Sequence, residues 1–305
     1  MLNYAKTYKN NTWKNIWEYP AMNDYCVFIL THGRPDKILT DKTLRKCGYT
    51  GEIFYVVDDE DKTQGRYRER YGEKVCIFEK KEMADKIDEA NNFDNRKVIV
   101  HARNYCFDLA QKLGYRYFIE LDDDYYGLEY KYPDSVGDVN VKNMDIIFNL
   151  IFNYYKSANF ASICLSQNGD FIGGVDNGKG QYRFNKRKCM NSFFCSTERR
   201  FWFTGSINED VNTYTTLASR GLLFYTIPFV AINQKDTQKQ KGGMSDIYLT
   251  NGTYIKSFTT VMMQPSSVKV SMMNARHKRL HHSIKWINTV PCIIREDYKK
   301  PDNII

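Results

Sequence analysis

The sequence predicts an α/β fold, a mostly parallel sheet flanked by helices with a mixed C-terminal half. Three observations carry that prediction. Short apolar runs recur along the first half, separated by helix-length segments, which is the pattern of βαβ units with right-handed crossovers. Each run stops at a cluster of polar residues. One of them, Tyr117-Phe118-Ile119-Glu120-Leu121, stops at three consecutive carboxylates, Asp122, Asp123 and Asp124. In an open α/β sheet the carboxyl ends of the strands form the rim where ligands bind.

Residues 1–23 are polar with aromatics that include Trp13, Trp17 and Tyr19, and read as a lead-in that packs on the body. Cys26-Val27-Phe28-Ile29-Leu30 is a buried strand ended by Thr31-His32-Gly33-Arg34-Pro35. The segment 36–47 carries Ile38, Leu39 and Leu44 and stops before Gly48, a helix-stop signal. Ile53-Phe54-Tyr55-Val56-Val57 is a second strand, ended by Asp58-Asp59-Glu60-Asp61, and Val75-Cys76-Ile77-Phe78 a third. Residues 97–113 read as a helix with Ile99, Ala102, Cys106, Leu109, Ala110 and Leu113 on one face and Gly114 just past its end. The acid-tipped strand follows.

The second half mixes its signals. Residues 142–157 are helical in period, with Met144, Ile147, Ile151, Tyr154 and Tyr155 near one face, and Phe160–Leu165 reads as a strand. Five glycines in 169–180 mark a loop. Strands are expected over 193–204 and 222–232, flanking a helix at about 209–220. From 255 onward the chain is basic and poorly periodic. The domain expectation is one continuous domain: a first half over 24–130, then a second half with the basic C-terminal segment over 131–305.

Composition narrows the class. The chain has 305 residues, 42% apolar, enough for a sizeable core. Its net charge is +8, from 44 basic and 36 acidic residues, which suits a polyanionic partner without requiring one. Eight cysteines are scattered without a C-x-x-C pair, so a zinc ribbon is unsupported, and buried free thiols fit best. No apolar signal core opens the sequence and no run reaches about 18 apolar residues, so a cytoplasmic, soluble protein is expected.

Several groups of residues could carry chemistry. Thr31 and Arg34 end the first strand, Asp58 and Asp59 the second, and Asp122 to Asp124 a later one. In a parallel sheet these ends share one edge. An acid there can accept from a base or ribose, and Arg34 can meet a phosphate. Taken singly, each is more often a loop residue. Arg103 and Asn104 lie near the start of the helix before the acid strand, where an Arg favours anions; a solvated helix charge is the plain alternative. In Thr204-Gly205-Ser206-Ile207-Asn208-Glu209-Asp210-Val211, Ser206 or Asn208 can cap a helix with two acids in its first turn. One of those acids can instead be a general base. Three of the five histidines, His277, His281 and His282, lie in a basic stretch and could complete a metal site begun by Asp122 and Asp124. Arg66-Tyr67-Arg68-Glu69-Arg70, Lys186-Arg187-Lys188 and Arg199-Arg200-Phe201-Trp202 interleave charge with aromatics, as a nucleic-acid surface does, or as a solvated face over a buried ring.

This ordered set resembles the GT-A glycosyltransferases. The D-x-D of that superfamily matches Asp122-Asp123-Asp124, its x-E-D matches Asn208-Glu209-Asp210, and Ala102-Arg103-Asn104 resembles its donor-contacting triplet. The opening Phe28-Ile29-Leu30-Thr31-His32-Gly33-Arg34-Pro35 is similar to that of the TET-associated glycosyltransferases, phage enzymes that act on hydroxymethylated pyrimidines in DNA. The resemblance implies a Rossmann-like GT-A fold, a UDP-sugar donor, Mn²⁺ or Mg²⁺, and a DNA acceptor such as 5-hydroxymethylcytosine, in host cytoplasm. It implies metal ligands among Asp122, Asp124, His281 and His282, and donor contacts from Thr31, Arg34, Asp58, Asp59, Arg103, Asp122 and Asp123. Asp210 and Glu209 would be catalytic, with Asp210 the base of an inverting transfer. Two other functions fit the same residues less closely: a transferase acting on a polysaccharide or protein, and a non-catalytic nucleic-acid-binding protein.

Overall fold

In a computed structural model of the chain, the acid-tipped strand lies inside a nine-stranded sheet. The structure describes residues 24–90, 96, 98–131, 139–167, 187–234, 244–274 and 278–290. The expected lead-in over 1–23, the glycine-rich loop at 169–180, Gly242-Gly243, Lys186 and His277 lie outside the described residues.

The first half is a parallel quartet. β1 (Tyr25–Leu30), β2 (Ile53–Asp58) and β3 (Val75–Phe78) run outward in one direction, and β4 (Tyr117–Asp122) returns to pair with the other side of β1. α1 (Thr40–Lys46), α2 (Gln64–Tyr71), α3 (Lys80–Ala84) and α4 (Val100–Lys112) occupy the connections. The sheet order β3-β2-β1-β4 therefore reverses at β1, and the β1/β4 boundary is a topological switch point. Leu30 pairs with Asp122 there, so Thr31 and the three acids emerge together at the carboxyl edge.

The rest of the sheet is mixed. β5 (Tyr125–Tyr130) leads to the short β6 (Val139–Asn140), then come α5 (Met144–Ser157), β7 (Phe160–Gln167), β8 (Ser192–Ser196), α6 (Glu209–Ser219) and β9 (Leu223–Gln234). β8 is antiparallel to both β4 and β7, β9 is parallel to β7, and β5 is antiparallel to β9. Strand alternation divides the core in two. Val27, Ile29, Ile119 and Leu121 face α1 and α5, while Cys26, Phe28 and Phe118 face α4 and α6. Glu120 and Asp122 share the second face with Phe118, so the strand aims two carboxylates at α4.

Four details depart from the sequence reading. The helix expected over 97–113 spans Val100–Lys112, and Leu113 is exposed. The strand expected over 193–204 stops at Ser196, followed by a short 3-10 turn. The segment from 255 is regular. α7 (Met244–Met263) packs against an antiparallel pair, β10 (Val268–Asn274) and β11 (Lys278–Ile284), and a short α8 (Trp286–Thr289) follows. That pair stands apart from the main sheet and alternation is weak in it, so period alone did not reveal it. Finally, Cys164 and Cys189 form a disulfide, where free thiols were expected; Cys26, Cys47, Cys76, Cys106 and Cys195 are free. Among the described residues, no helix is long and apolar enough to cross a membrane.

Candidate active site

The rim at β1 and β2 is built from paired charges. Asp58, last residue of β2, accepts from His32 Nδ1 at 2.6 Å and meets the buried Lys80 Nζ at 3.1 Å. Burial lifts its carboxyl, but His32 and Lys80 more than reverse this, and it lies below the ordinary carboxylate value. Asp59 accepts from the Lys80 backbone N–H at 2.9 Å, which fixes the start of α3. Asp61 accepts from the Gly33 N–H at 2.6 Å. Gly33 has φ +68, a left-handed conformation that glycine takes without cost.

Asp123 belongs to this rim more than to the acids beside it. It is 2% exposed. Thr31 Oγ1 donates to it at 2.7 Å and Arg34 Nη2 lies 3.0 Å away. Its backbone carbonyl accepts from Leu39 and Thr40 at the start of α1. Thr31 also meets the buried Tyr67 hydroxyl, which accepts from the Arg34 N–H. Thr31, Arg34 and Asp123 thus hold one another. The middle acid of the triplet ties the loop after β1 to the end of β4.

The second group is different in kind. Arg103 is 1% exposed and lies among three carboxylates. It donates to Asp122 Oδ1 at 2.9 Å and to Glu209 Oε1 at 3.1 Å, and its Nη1 lies 3.7 Å from Glu120 Oε2. The rings of Phe193 and Phe203 flank it, 5.1 and 5.8 Å from its guanidinium carbon to their centroids. Burial alone would weaken its hold on a proton, but the three carboxylates raise its pKa instead. Arg103 is therefore not a solvated helix charge. It faces inward, onto the acids.

One guanidinium does not neutralise this many acids. Glu120 is fully buried, and burial pushes its carboxyl well up despite Arg103. Asp122 is pushed up to about 6: burial lifts it, Arg103 pulls it back, and Asp124 and Asp210 lift it again. Glu209 is pushed up to about 7 by burial and by Asp210, against the pull of Arg103. Asp124 is raised by burial and by Asp123, with Gln234 acting the other way. Gln234, at the end of β9, also reaches Asp122 Oδ2 at 3.4 Å.

Glu209 and Asp210 start α6. Asn208 stands at its N-cap position in the left-handed region (φ 55), which Asn tolerates better than most residues. Its side chain does not cap the helix. It donates to the Lys256 carbonyl at 2.7 Å and to Thr260 Oγ1 at 3.1 Å, tying the turn to α7. Gly205, at φ +81, makes the preceding bend; a Cβ there would lie 2.5 Å from Asn212 Nδ2. Asp210 accepts from the Val211 N–H at 2.7 Å, so Arg103 holds Glu209 rather than Asp210.

The histidines lie in other company. His281 and His282 are neighbours on β11, with ring centroids 4.3 Å apart. Burial lowers their pKa values to about 4 and about 3, helped in both by Lys188 and Lys256. The charges acting on them are cations, not the acids at β4. Among the described residues no three His, Cys, Asp or Glu side chains gather into a metal-binding group. The donor chemistry at β4 still suits a hard divalent ion: Asp122 and Asp124 offer carboxylate oxygens where negative charge is in surplus, and such ions commonly complete their shells with water and substrate phosphate.

The basic-aromatic runs are mostly used internally. Arg66 and Arg70 pair with Asp36, and Tyr67 is core. Arg199 donates to the carbonyls of Tyr155, Ala158 and Phe160, Arg200 pairs with Asp108, and Phe201 is buried. Three participants were not singled out from sequence: Glu120, Gln234 and Lys80. Glu120 had a signal, a carboxylate two residues before Asp122 in an apolar strand. Gln234 and Lys80 had none, since they reach the site from distant points in the chain.

Residues 25–243 match the family model described as TET-Associated Glycosyltransferase. No curated protein sequence matches the chain. Among solved structures, glucosyl-3-phosphoglycerate synthase from Mycobacterium tuberculosis with Mn²⁺, UDP and phosphoglyceric acid aligns at TM-score 0.44 and 8% identity, covering 87% of this chain and 88% of that one. The same enzyme with Mg²⁺ and UDP gives 0.44 and 8%, covering 90% and 92%. The chain belongs to the TET-associated glycosyltransferase family and is a glycosyltransferase.

Proposed function

We propose that this TET-associated glycosyltransferase moves a sugar from a UDP-sugar onto the hydroxyl of a hydroxymethylated pyrimidine in phage DNA. The observation that carries the reading is the acid cluster at the switch point: Asp122 and Glu209 on a single Arg103, with Asp124 and Asp210 acting on Asp122. The rim of Thr31, Arg34, Asp58, Asp59 and Asp123 adjoins it, where the nucleotide of the donor would lie. Asp58 and Asp59 offer acceptors to the base and ribose. Asp122 and Asp124 would hold the Mn²⁺ or Mg²⁺, which when bound would supply positive charge to the departing diphosphate.

Asp210 is the proposed base. It takes the proton of the acceptor hydroxyl, whose oxygen forms the new bond to the anomeric carbon. The bond from that carbon to the diphosphate breaks, and its electron pair leaves with UDP. Attack from the far side inverts the configuration. Glu209, held by Arg103, fixes the first turn of α6 and so the position of Asp210. The acceptor hydroxyl sits on a stacked base, so the nucleotide is flipped out or single-stranded. The family's name and the +8 net charge support a DNA acceptor. The phosphates are proposed to lie along Lys188, Lys256 and Arg279, the cations grouped around His281 and His282.

The test is incubation with Mn²⁺, a panel of UDP-sugars and DNA containing 5-hydroxymethylcytosine, followed by mass spectrometry of the nucleosides. A hexose or pentose mass added to the modified base is the expected result. UDP-sugar hydrolysis with unmodified nucleosides would point to a polysaccharide or protein acceptor instead. The anomeric configuration of the product, read by NMR, decides inversion.

A further inference from the structure

We propose that the α4 triplet does not contact the donor: Arg103 and Asn104 are positioning residues that clamp the 203–209 loop and thereby set the place of Asp210. The proposal deepens the transferase reading above and rests on it for the role of Asp210.

Several of the loop's backbone groups are paired, and α4 and the segment before it supply central partners. Asn104 Nδ2 donates to the Phe203 carbonyl at 2.9 Å, and the Phe203 N–H donates to Asn104 Oδ1 at 2.9 Å. One side-chain amide thus satisfies both polar groups of a buried residue, as a neighbouring strand would. The next two contacts come through the segment before α4. The Gly205 N–H donates to the Asp88 carbonyl at 2.9 Å and the Ser206 N–H to the Glu89 carbonyl at 2.8 Å. The Glu89 carboxylate lies 2.7 Å from Nε2 of the fully buried His101. Arg103 completes the clamp at Glu209. Because Arg103 also holds Asp122, one side chain sets the distance between the end of β4 and the start of α6.

Asn104 is fully buried and Arg103 nearly so, both among protein partners. A residue that met the donor would change partners on donor binding. A clamp keeps the ones it has. The two roles therefore separate in experiment.

Asn104→Asp keeps the acceptor for the Phe203 N–H and removes the donor to its carbonyl. Arg103→Lys keeps the charge but replaces the fork by a single ammonium, which cannot hold Asp122 and Glu209 in the same geometry. Hydrogen exchange of the intact protein is measured first. Faster exchange is expected in the peptide covering 203–212, with β1, β2 and β4 unchanged, and this arm does not depend on what the substrate is. Binding of UDP with Mn²⁺ is then measured by calorimetry on Asn104→Asp, which leaves the Arg103–Asp122 contact in place, and is expected to stay within about twofold of wild type, while turnover on 5-hydroxymethylcytosine DNA falls roughly tenfold or more, as misplaced catalytic groups cost. Unchanged exchange at 203–212 in both variants overturns the clamp, as does weakened UDP binding with exchange unaltered. If wild type binds no UDP, the donor assignment fails, and exchange alone decides the clamp.

Discussion

The two charged regions at the carboxyl edge of the sheet solve opposite problems. At the rim, acids are matched with cations: Asp58 with Lys80, Asp123 with Arg34, while His32 shares a hydrogen bond with Asp58. In the cluster, Glu120, Asp122 and Glu209 divide one Arg103, with Asp124 and Asp210 close enough to be felt. The carboxyl of Asp58 is accordingly held down, while those of Asp122 and Glu209 are pushed up. A balanced pair fixes a loop. A surplus of buried negative charge is costly in the free protein and is relieved when a cation or a proton arrives. The rim is thus built to hold shape, and the cluster carries the surplus charge on which the proposed chemistry rests.

The largest expected effect separates the two regions by activity. Asp210→Asn is expected to lower turnover by roughly 10²–10⁴-fold, the usual contribution of a general base, with little change in UDP binding. Asp58→Asn is expected to act the other way, weakening UDP binding more than turnover. Steady-state kinetics with calorimetry on both variants checks this, and equal losses in both parameters would erase the distinction.

Removing the shared cation comes next. Arg103→Gln leaves three buried carboxylates without their counter-ion and is expected to cost about 3–5 kcal/mol in urea denaturation. Glu120→Gln removes surplus charge and is expected to be neutral or stabilising. A destabilisation by Glu120→Gln comparable to that of Arg103→Gln would mean that the cluster is balanced after all.

The two regions should also differ in the sign of their pH dependence. Glu209 binds its proton more tightly in the folded protein, so its contribution favours the fold below the ordinary value of 4.5 and is lost as pH rises to about 7. Asp58 is the reverse. Its contribution is present above the ordinary value of 3.8 and disappears as pH falls through its lower folded value. Stability measured against pH should fall between about 4.5 and 7 in wild type, and Glu209→Gln should flatten that decline. An unchanged slope in the variant would remove Glu209 as its source.

The smallest effect concerns the exposed pair of Arg66 with Asp36. Arg66→Ala is expected to change stability by less than about 1 kcal/mol, as solvent-exposed ion pairs do, and to leave DNA affinity nearly intact. A large drop in DNA affinity, read in a filter-binding titration at fixed salt, would return the 66–70 stretch to the acceptor surface.

How much of this was legible in the chain depends on the range of the contacts. The strands from Cys26 to Phe78 and the acid strand are continuous apolar runs because both faces of a parallel sheet are covered, and such runs show without any partner. The β10–β11 pair lacked that signal. Asp122 and Asp210 stood out as acids at element ends. The inward turn of Arg103 could not be foreseen, because an arginine on a helix looks the same in sequence whether it meets water or three carboxylates.

The sequence by itself determined the class of fold, the order of its elements and the presence of acids at two of their ends, since these follow from local periodicity and short-range punctuation. Only the tertiary structure decided which acids share a cation, that Asp123 belongs to the rim, that Asn104 holds Phe203, and that His281 and His282 lie among lysines. Those are relations between residues up to about a hundred positions apart, in contact across the sheet and its helices (Arg103 and Glu209 are separated by 106). Burial and neighbouring charge, which set what each group can do, exist only once the chain has folded.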